Sequence, residues 1–411
     1  MNIDVHCHYT LSRCRLVDAP RFSFETLDDI EDKDSPLLPA DTRPTAFDAC
    51  VAPAAENRVA FRVMRRLLGI DASIAAGDAL DAALAESWLQ HLRTEGPIDK
   101  YVLLAFDAYH DDDGAIAPLP QQYRARGSDM YASNTLIRAV CAAEGLISRG
   151  DGGFRFAQPT LQEDLQKKRT GEMPDPHVIP NSHARQARFL FGASVHPYRA
   201  QAIENISEVF DGGAVLLKWL PVHQNIAARD PRTIAALRHC AAIGLPILVH
   251  YNEEFTLSSN CPKHLSPIPM LEVLEQLRRE GDMPTVILAH VATPVLSRSR
   301  RRWYEIVCGA LQYSFADAPL YADISALCSL TKTGYLKELA RRQDLHHKLL
   351  FGSDFPVPPA CWRLWHRLGS QYKTVAAVES WPQRSAECCR ALGFHEIVFA
   401  QAAGLLANVS K

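Results

Sequence analysis

The sequence predicts an α/β fold, a (β/α)₈ barrel of the TIM type, and three observations lead there. Short apolar runs rich in β-branched residues recur eight times along the 411 residues. The stretches between the later runs have helical spacing, and several runs end in a ligand-type residue at the same place in the repeat. Runs of this kind fit strands buried on both faces of a parallel sheet, and eight strand–helix units close into a barrel.

The first run covers residues 3–5 and ends in His6. The second is YVLLAF from Tyr101, the third FLFGASV from Phe189, the fourth AVLLKWL from Ala214. PILVHY from Pro246, TVILAHV from Thr285, LYADIS from Leu320 and KLLFGSDF from Lys348 complete the series. Residues 230–245, DPRTIAALRHCAAIGL, illustrate the intervening helices: apolar residues at helical spacing, then Gly244 before Pro246. The whole chain, 1–411, is expected to be a single barrel domain with two long insertions, at about 9–98 after strand one and about 107–185 after strand two. The first insertion holds a polar, Pro/Asp-rich piece at about 20–45. The second holds HDDDG at 110–114, a helical run at about 133–145 and the charged stretch LQEDLQKKR. Insertions after barrel strands build lids, substrate walls or oligomer contacts, because the strand C-termini open onto the active site.

Composition narrows the function. At 47% hydrophobic and 22% charged, the chain reads as a globular protein, and a net charge of −3 argues against a nucleic-acid or membrane-surface partner. The cluster Arg298, Arg300, Arg301 and Arg302 is short and reads as a solvated helix start. The opening MNIDVHCHYT has neither the basic nor the apolar region of a secretory signal, and no run of about 18 apolar residues follows, so a cytoplasmic location is expected. The 11 cysteines are then reduced thiols. Cys388 and Cys389 are adjacent on an expected helix, a poor arrangement for sharing an ion, and are read as structural.

The chemistry concentrates at strand ends. In VHCH, His6 and His8 stand two residues apart, so both imidazoles of a strand point to one side and reach one ion at about 2.0–2.1 Å. His250 ends strand five, His290 strand six and Asp354 strand eight, and in a barrel all these ends converge on one face.

The set VHCH, Lys218, His250, His290 and GSDFP resembles the amidohydrolase superfamily of metal-dependent barrels, in its amidohydrolase-related (amidohydrolase 2) branch that also contains decarboxylases. The resemblance covers strand one and about residues 187–410, leaving the insertions aside. It implies that His6, His8 and Asp354 bind the principal metal, with His250 as a further ligand. It also implies that Asp354 takes a proton from the metal-activated water. His290 would act on the substrate in a one-metal site or ligate a second ion. Lys218, at the end of strand four, would be a carbamate bridging two ions, an unmodified lysine meeting substrate, or a structural residue. The implied cofactor is a divalent ion, zinc first with manganese, iron or cobalt as alternatives, and one ion rather than two. Homodimerisation is compatible with the resemblance alone.

Around this set, His196 and Arg199 follow strand three, where an arginine fork can hold a substrate carboxylate or make a loop salt bridge. Tyr251, Asn252 and Glu253 are candidates for the pocket wall, Arg13 and Arg15 for anion binding. His223 reads as a surface histidine and HDDDG as a solvated turn. The functional expectation is a hydrolase acting on a small-molecule amide, lactone, ester or C–C bond. The alternative is a non-oxidative decarboxylase of an aromatic or unsaturated acid, and a metal-retaining binding protein is the remaining class.

Overall fold

The structure, a computed structural model, describes residues 1–9, 11–14, 45, 47–117, 119–120, 126–147, 188–253, 257–295 and 300–409. Among the described residues the strands are β1 (Ile3–His8), β2 (Arg13–Cys14), β3 (Ala49–Val51), β4 (Lys100–Leu104), β5 (Met130–Ala132), β6 (Phe189–Ala193), β7 (Leu216–Trp219), β8 (Ile247–Val249), β9 (Val286–Leu288), β10 (Leu320–Asp323) and β11 (Leu349–Leu350). Eight of them form one sheet in the order β1-β4-β6-β7-β8-β9-β10-β11, and every neighbouring pair is parallel. The sheet closes on itself: the Val5 N–H bonds Phe351 O at 3.1 Å, the His8 N–H bonds Phe355 O at 2.8 Å, and the Asp354 N–H bonds His6 O at 2.8 Å. The fold is therefore the TIM barrel that the eight apolar runs predict, and each run supplies one barrel strand.

The barrel interior is apolar along most of its length. Val5, Leu104, Leu216, Leu248, Ile287 and Leu350 form one buried cluster, capped at the end away from the mouth by Ala402 and Leu406. Neighbouring residues such as Leu103, Leu217, Val249 and Leu288 face outward into the layer shared with the helices. Helix Pro231–Ile243 shows how that layer is set locally. The Asp230 carboxylate accepts the Arg232 N–H at its start, and Gly244, at φ 71, ends it.

One irregularity decides where the histidines point. β1 pairs with β4 as Ile3↔Lys100 and Asp4↔Tyr101, then as Cys7↔Leu103 and His8↔Leu104, so β1 carries one extra residue between Asp4 and Cys7. Ile3 and Val5 lie in the interior cluster, whereas Cys7 lies in the outer layer. Strict alternation from Ile3 would turn His6 and His8 outward. The bulge resets the alternation and turns them into the mouth.

The insertions sit on that mouth. β2 and β3 come from the first and β5 from the second, and they pair antiparallel in a separate sheet of order β2-β3-β5. Phe106, just past β4, exchanges backbone hydrogen bonds with Ala132 of β5 at 2.9 and 3.0 Å. The helix expected at about 133–145 is Asn134–Ile147. The polar piece at about 20–45 and the stretch LQEDLQKKR lie outside the described residues. Among the described residues, no helix is long and apolar enough to cross a membrane.

Ile287 is fully buried in the interior cluster. Ile287→Ala is expected to destabilise the protein by about 2–5 kcal/mol, read as a lowered urea midpoint. Ile268→Ala, on a side chain 38% exposed, should stay within about 0.5 kcal/mol.

Candidate metal centre

Three donor atoms from the two strands that close the barrel meet at its mouth. His6 and His8 come from β1, and Asp354 from the loop four residues past Leu350, the end of β11. The Asp354 carboxylate oxygen Oδ1 stands 3.1 Å from His8 Nε2 and 3.4 Å from His6 Nε2. All three donors lie within 4.8 Å of one another. Ligands about 2.0–2.1 Å from a tetrahedral ion stand roughly 3.3–3.4 Å apart, so this triangle fits a zinc-sized cation with a coordination position left over.

The surroundings set each donor. His6 Nδ1 faces Asp323 Oδ2 at 2.8 Å, which places the ring proton on Nδ1 and turns the Nε2 lone pair toward the triangle. Asp323, at the end of β10, also accepts the His290 backbone N–H at 2.7 Å and the Ser325 hydroxyl at 2.5 Å through Oδ1. Burial raises the pKa of Asp323, but its contacts with His6 and the Ser325 hydroxyl outweigh it and hold the carboxyl below its usual range. Burial also lowers His8 to about 4, the hydrogen bond to Asp354 opposing it, which keeps the ring in the neutral, ligating form. Below the ring, Asp4 Oδ1 accepts the backbone N–H of His6 at 3.1 Å and of Ser353 at 2.9 Å, fastening the β1 bulge to the β11 loop.

Lys218, the third residue of β7, is fully buried, and its Nζ lies 2.9 Å from His6 Nε2. It donates to the same lone pair that a cation would use. His290 and His250 lie next to the triangle and pair with each other, Nε2 to Nδ1, at 3.0 Å. The His290 ring stacks 6.3 Å from that of His6. His250 is thus grouped with His290 rather than with the three converging donors. Two of these residues occupy left-handed backbone, His290 at φ 37 and Asp354 at φ 58. Such conformations cost about 1–3 kcal/mol each and concentrate where a site demands a particular side-chain direction.

No family model matches the sequence, and no curated protein matches it. Solved structures do match. One is a probable 2-pyrone-4,6-dicarboxylic acid hydrolase from Acinetobacter baumannii, 12% identical over 98% of both chains, with a TM-score of 0.45. Another is an amidohydrolase from Burkholderia multivorans, 14% identical over 98% of both chains, TM-score 0.40. A third is 5-carboxyvanillate decarboxylase from Sphingomonas paucimobilis, 13% identical over 98% of both chains, TM-score 0.38. The chain is similar to amidohydrolase-type barrels. That similarity is one of overall fold, and the chemistry of the chain rests on its own side chains.

The other candidates fall into different surroundings. The Arg199 guanidinium grips Asp107, Nε to Oδ2 at 2.7 Å and a second nitrogen to Oδ1 at 2.6 Å, with both side chains buried. His196 is fully buried, with Nε2 donating to Gln224 O at 2.8 Å and Nδ1 accepting the Tyr198 N–H at 3.0 Å. The structure therefore ties Arg199 and His196 into the wall beneath the mouth. Tyr251 is 2% exposed, within the apolar layer, and burial raises the pKa of its phenol. Asn252 donates to Ala292 O at 2.9 Å, and Glu253 pairs with Arg300. Arg13 lies 3.5 Å from Glu56; Arg15 and Arg298 lie outside the described residues. HDDDG forms a turn in which Asp111 Oδ1 accepts the N–H groups of Asp113 and Ala115.

His223 departs from its reading as a surface histidine. It is 9% exposed, its ring lies 5.7 Å from that of His250, and it bonds the Ser258 carbonyl. With Phe106, Tyr109, Leu220 and Asn260 it lines a narrow cleft beside the histidines. Asp323 is the residue at the candidate site that sequence reasoning missed. The signal was available, since LYADIS carries its aspartate at the strand end, where other runs carry their ligand-type residues.

Asp323→Asn should lower the affinity for zinc about 10–100-fold, measured by competition with a chromophoric chelator, because the carboxylate that fixes the His6 tautomer is gone. A Cβ on Gly352 would lie 2.9 Å from His6 Cβ and 3.0 Å from Ser325 Cβ. Gly352→Ala is expected to weaken zinc binding in the same assay by displacing His6.

Proposed function

We propose that this chain is a divalent-metal-dependent hydrolase that uses an activated water on a carbonyl-type small molecule, an ester, lactone, amide or C–C bond. The observation that carries the reading is the convergence of His6 Nε2, His8 Nε2 and Asp354 Oδ1 at tetrahedral ligand spacing. When bound, a cation of the zinc type supplies Lewis-acid charge and lowers the pKa of a water to about 7.

The residues of the chain divide the remaining work. Asp354, the corner of the triangle close to both histidines, accepts the proton of the attacking water and delivers it to the leaving group. Asp323 keeps the His6 lone pair aimed at the centre through the contact at Nδ1. Released from His6 Nε2, the Lys218 ammonium lies near the mouth, where it stabilises negative charge developing on the carbonyl oxygen, and His290 serves the same charge from the next strand. Tyr109, Leu220 and His223 in the neighbouring cleft form the wall against which the substrate is held. A small-molecule substrate, one ion at the mouth and a cytoplasmic setting go with this reading.

Among the described residues, Arg199 and Arg300, which lie in loops after barrel strands, are already ion-paired, which favours hydrolysis over decarboxylation. A substrate carboxylate poised for loss as CO₂ calls for a guanidinium partner. Arg199 is engaged by Asp107 and Arg300 by Glu253.

The test is turnover on a panel of lactones, esters, amides and aromatic carboxylic acids. Hydrolytic turnover should disappear on chelation and return with zinc or manganese. Asp354→Asn should reduce kcat about 10²–10⁴-fold. Release of CO₂ from the acids, with no hydrolysis of the other substrates, would establish the decarboxylase reading instead.

A further inference from the structure

A second group of ligand-type side chains lies away from the mouth chemistry. Cys328 follows β10, five residues beyond Asp323, and Cys361 opens the short helix Cys361–Leu364, seven residues beyond Asp354. Cys388 and Cys389 lie on helix Trp381–Ala391. The sulfurs of Cys328, Cys361 and Cys388 all stand within 4.8 Å of one another. Cys389 Sγ is 4.0 Å from Cys328 Sγ. All four thiols are buried.

Packing alone accounts for a buried cysteine, which behaves as a small apolar residue. It does not account for sulfurs from three separate segments turned toward one another. Among the described residues, the remaining cysteines form no such group. Thiolates about 2.3 Å from a tetrahedral zinc ion stand roughly 3.8 Å apart, inside the 4.8 Å within which the three sulfurs lie. The adjacency of Cys388 and Cys389 is no obstacle, because the three converging sulfurs require only Cys388 from that pair.

We propose that Cys328, Cys361 and Cys388 hold a soft divalent cation of the zinc type as its three thiolate ligands. Each ligating thiol loses its proton to solvent as the ion binds. Because the group is buried, the ion enters during folding rather than afterwards. Its role is structural. It joins the loop behind Asp323 to the loop behind Asp354 and anchors both on the helix Trp381–Ala391, a link now made by the Ala360 N–H to Cys328 O hydrogen bond of 2.7 Å. This site is independent of the mouth triangle.

The experiment is zinc-edge X-ray absorption on the full chain, produced under reducing conditions with added zinc, as wild type and as the His6→Ala/His8→Ala variant. The wild type should show sulfur scatterers near 2.3 Å together with nitrogen and oxygen at about 2.0–2.1 Å. The histidine variant should retain the sulfur shell alone, and Cys361→Ser should lose it. If Cys361→Ser fails to fold, the wild-type spectrum still decides. Zinc-loaded wild type with only nitrogen and oxygen neighbours, and with all three thiols free to alkylate on denaturation without metal release, would overturn the proposal.

Discussion

The Asp323 carboxylate is the contact on which the mouth of the barrel depends. Ending β10, it reaches the His6 ring on β1, the backbone of His290 after β9, and the Ser325 hydroxyl in its own loop. A carboxylate buried without partners is strongly disfavoured. Here every partner is also a part of the site, so satisfying the charge and aiming the ligands are the same act. The second fastening is Asp4, which joins the β1 bulge to the β11 loop through two backbone N–H groups. Together they hold strands that are distant in sequence at a spacing suited to one cation.

The fold was largely legible because the buried strands of a parallel barrel are continuous apolar runs, and all eight runs became strands. Strand-end position was equally informative: His6, His8 and Asp354 converge because barrel strands share one open end. What the pattern could not convey was orientation. His6 and His8 point inward only because β1 bulges after Asp4, and an inserted residue leaves no mark in a six-residue run. Nor could a strand-end rule separate ligands from their supports. Asp323 ends β10 and Asp354 lies four residues past β11, yet the one binds a histidine ring and the other meets two of them.

Loop residues were harder still, because their partners lie in other loops. Arg199 and Asp107 are 92 positions apart and form a closed bidentate pair. His223 is buried by segments that pack over it only once the barrel exists. The cysteines show the same limit in another form. Read along the chain, Cys388 and Cys389 are adjacent helix residues; in space, Cys388 faces Cys328 and Cys361. The geometry thus separates a histidine–aspartate triangle at the mouth from a thiol cluster among the segments behind it.

The central claim is that one cation sits among His6, His8 and Asp354, and anomalous diffraction at the zinc edge from crystals grown with zinc tests it most directly. A peak about 2.0–2.2 Å from His6 Nε2, His8 Nε2 and an Asp354 carboxylate oxygen is the predicted result. A zinc-containing crystal with no peak at the mouth, and with Lys218 still bonded to His6 Nε2, would contradict the account.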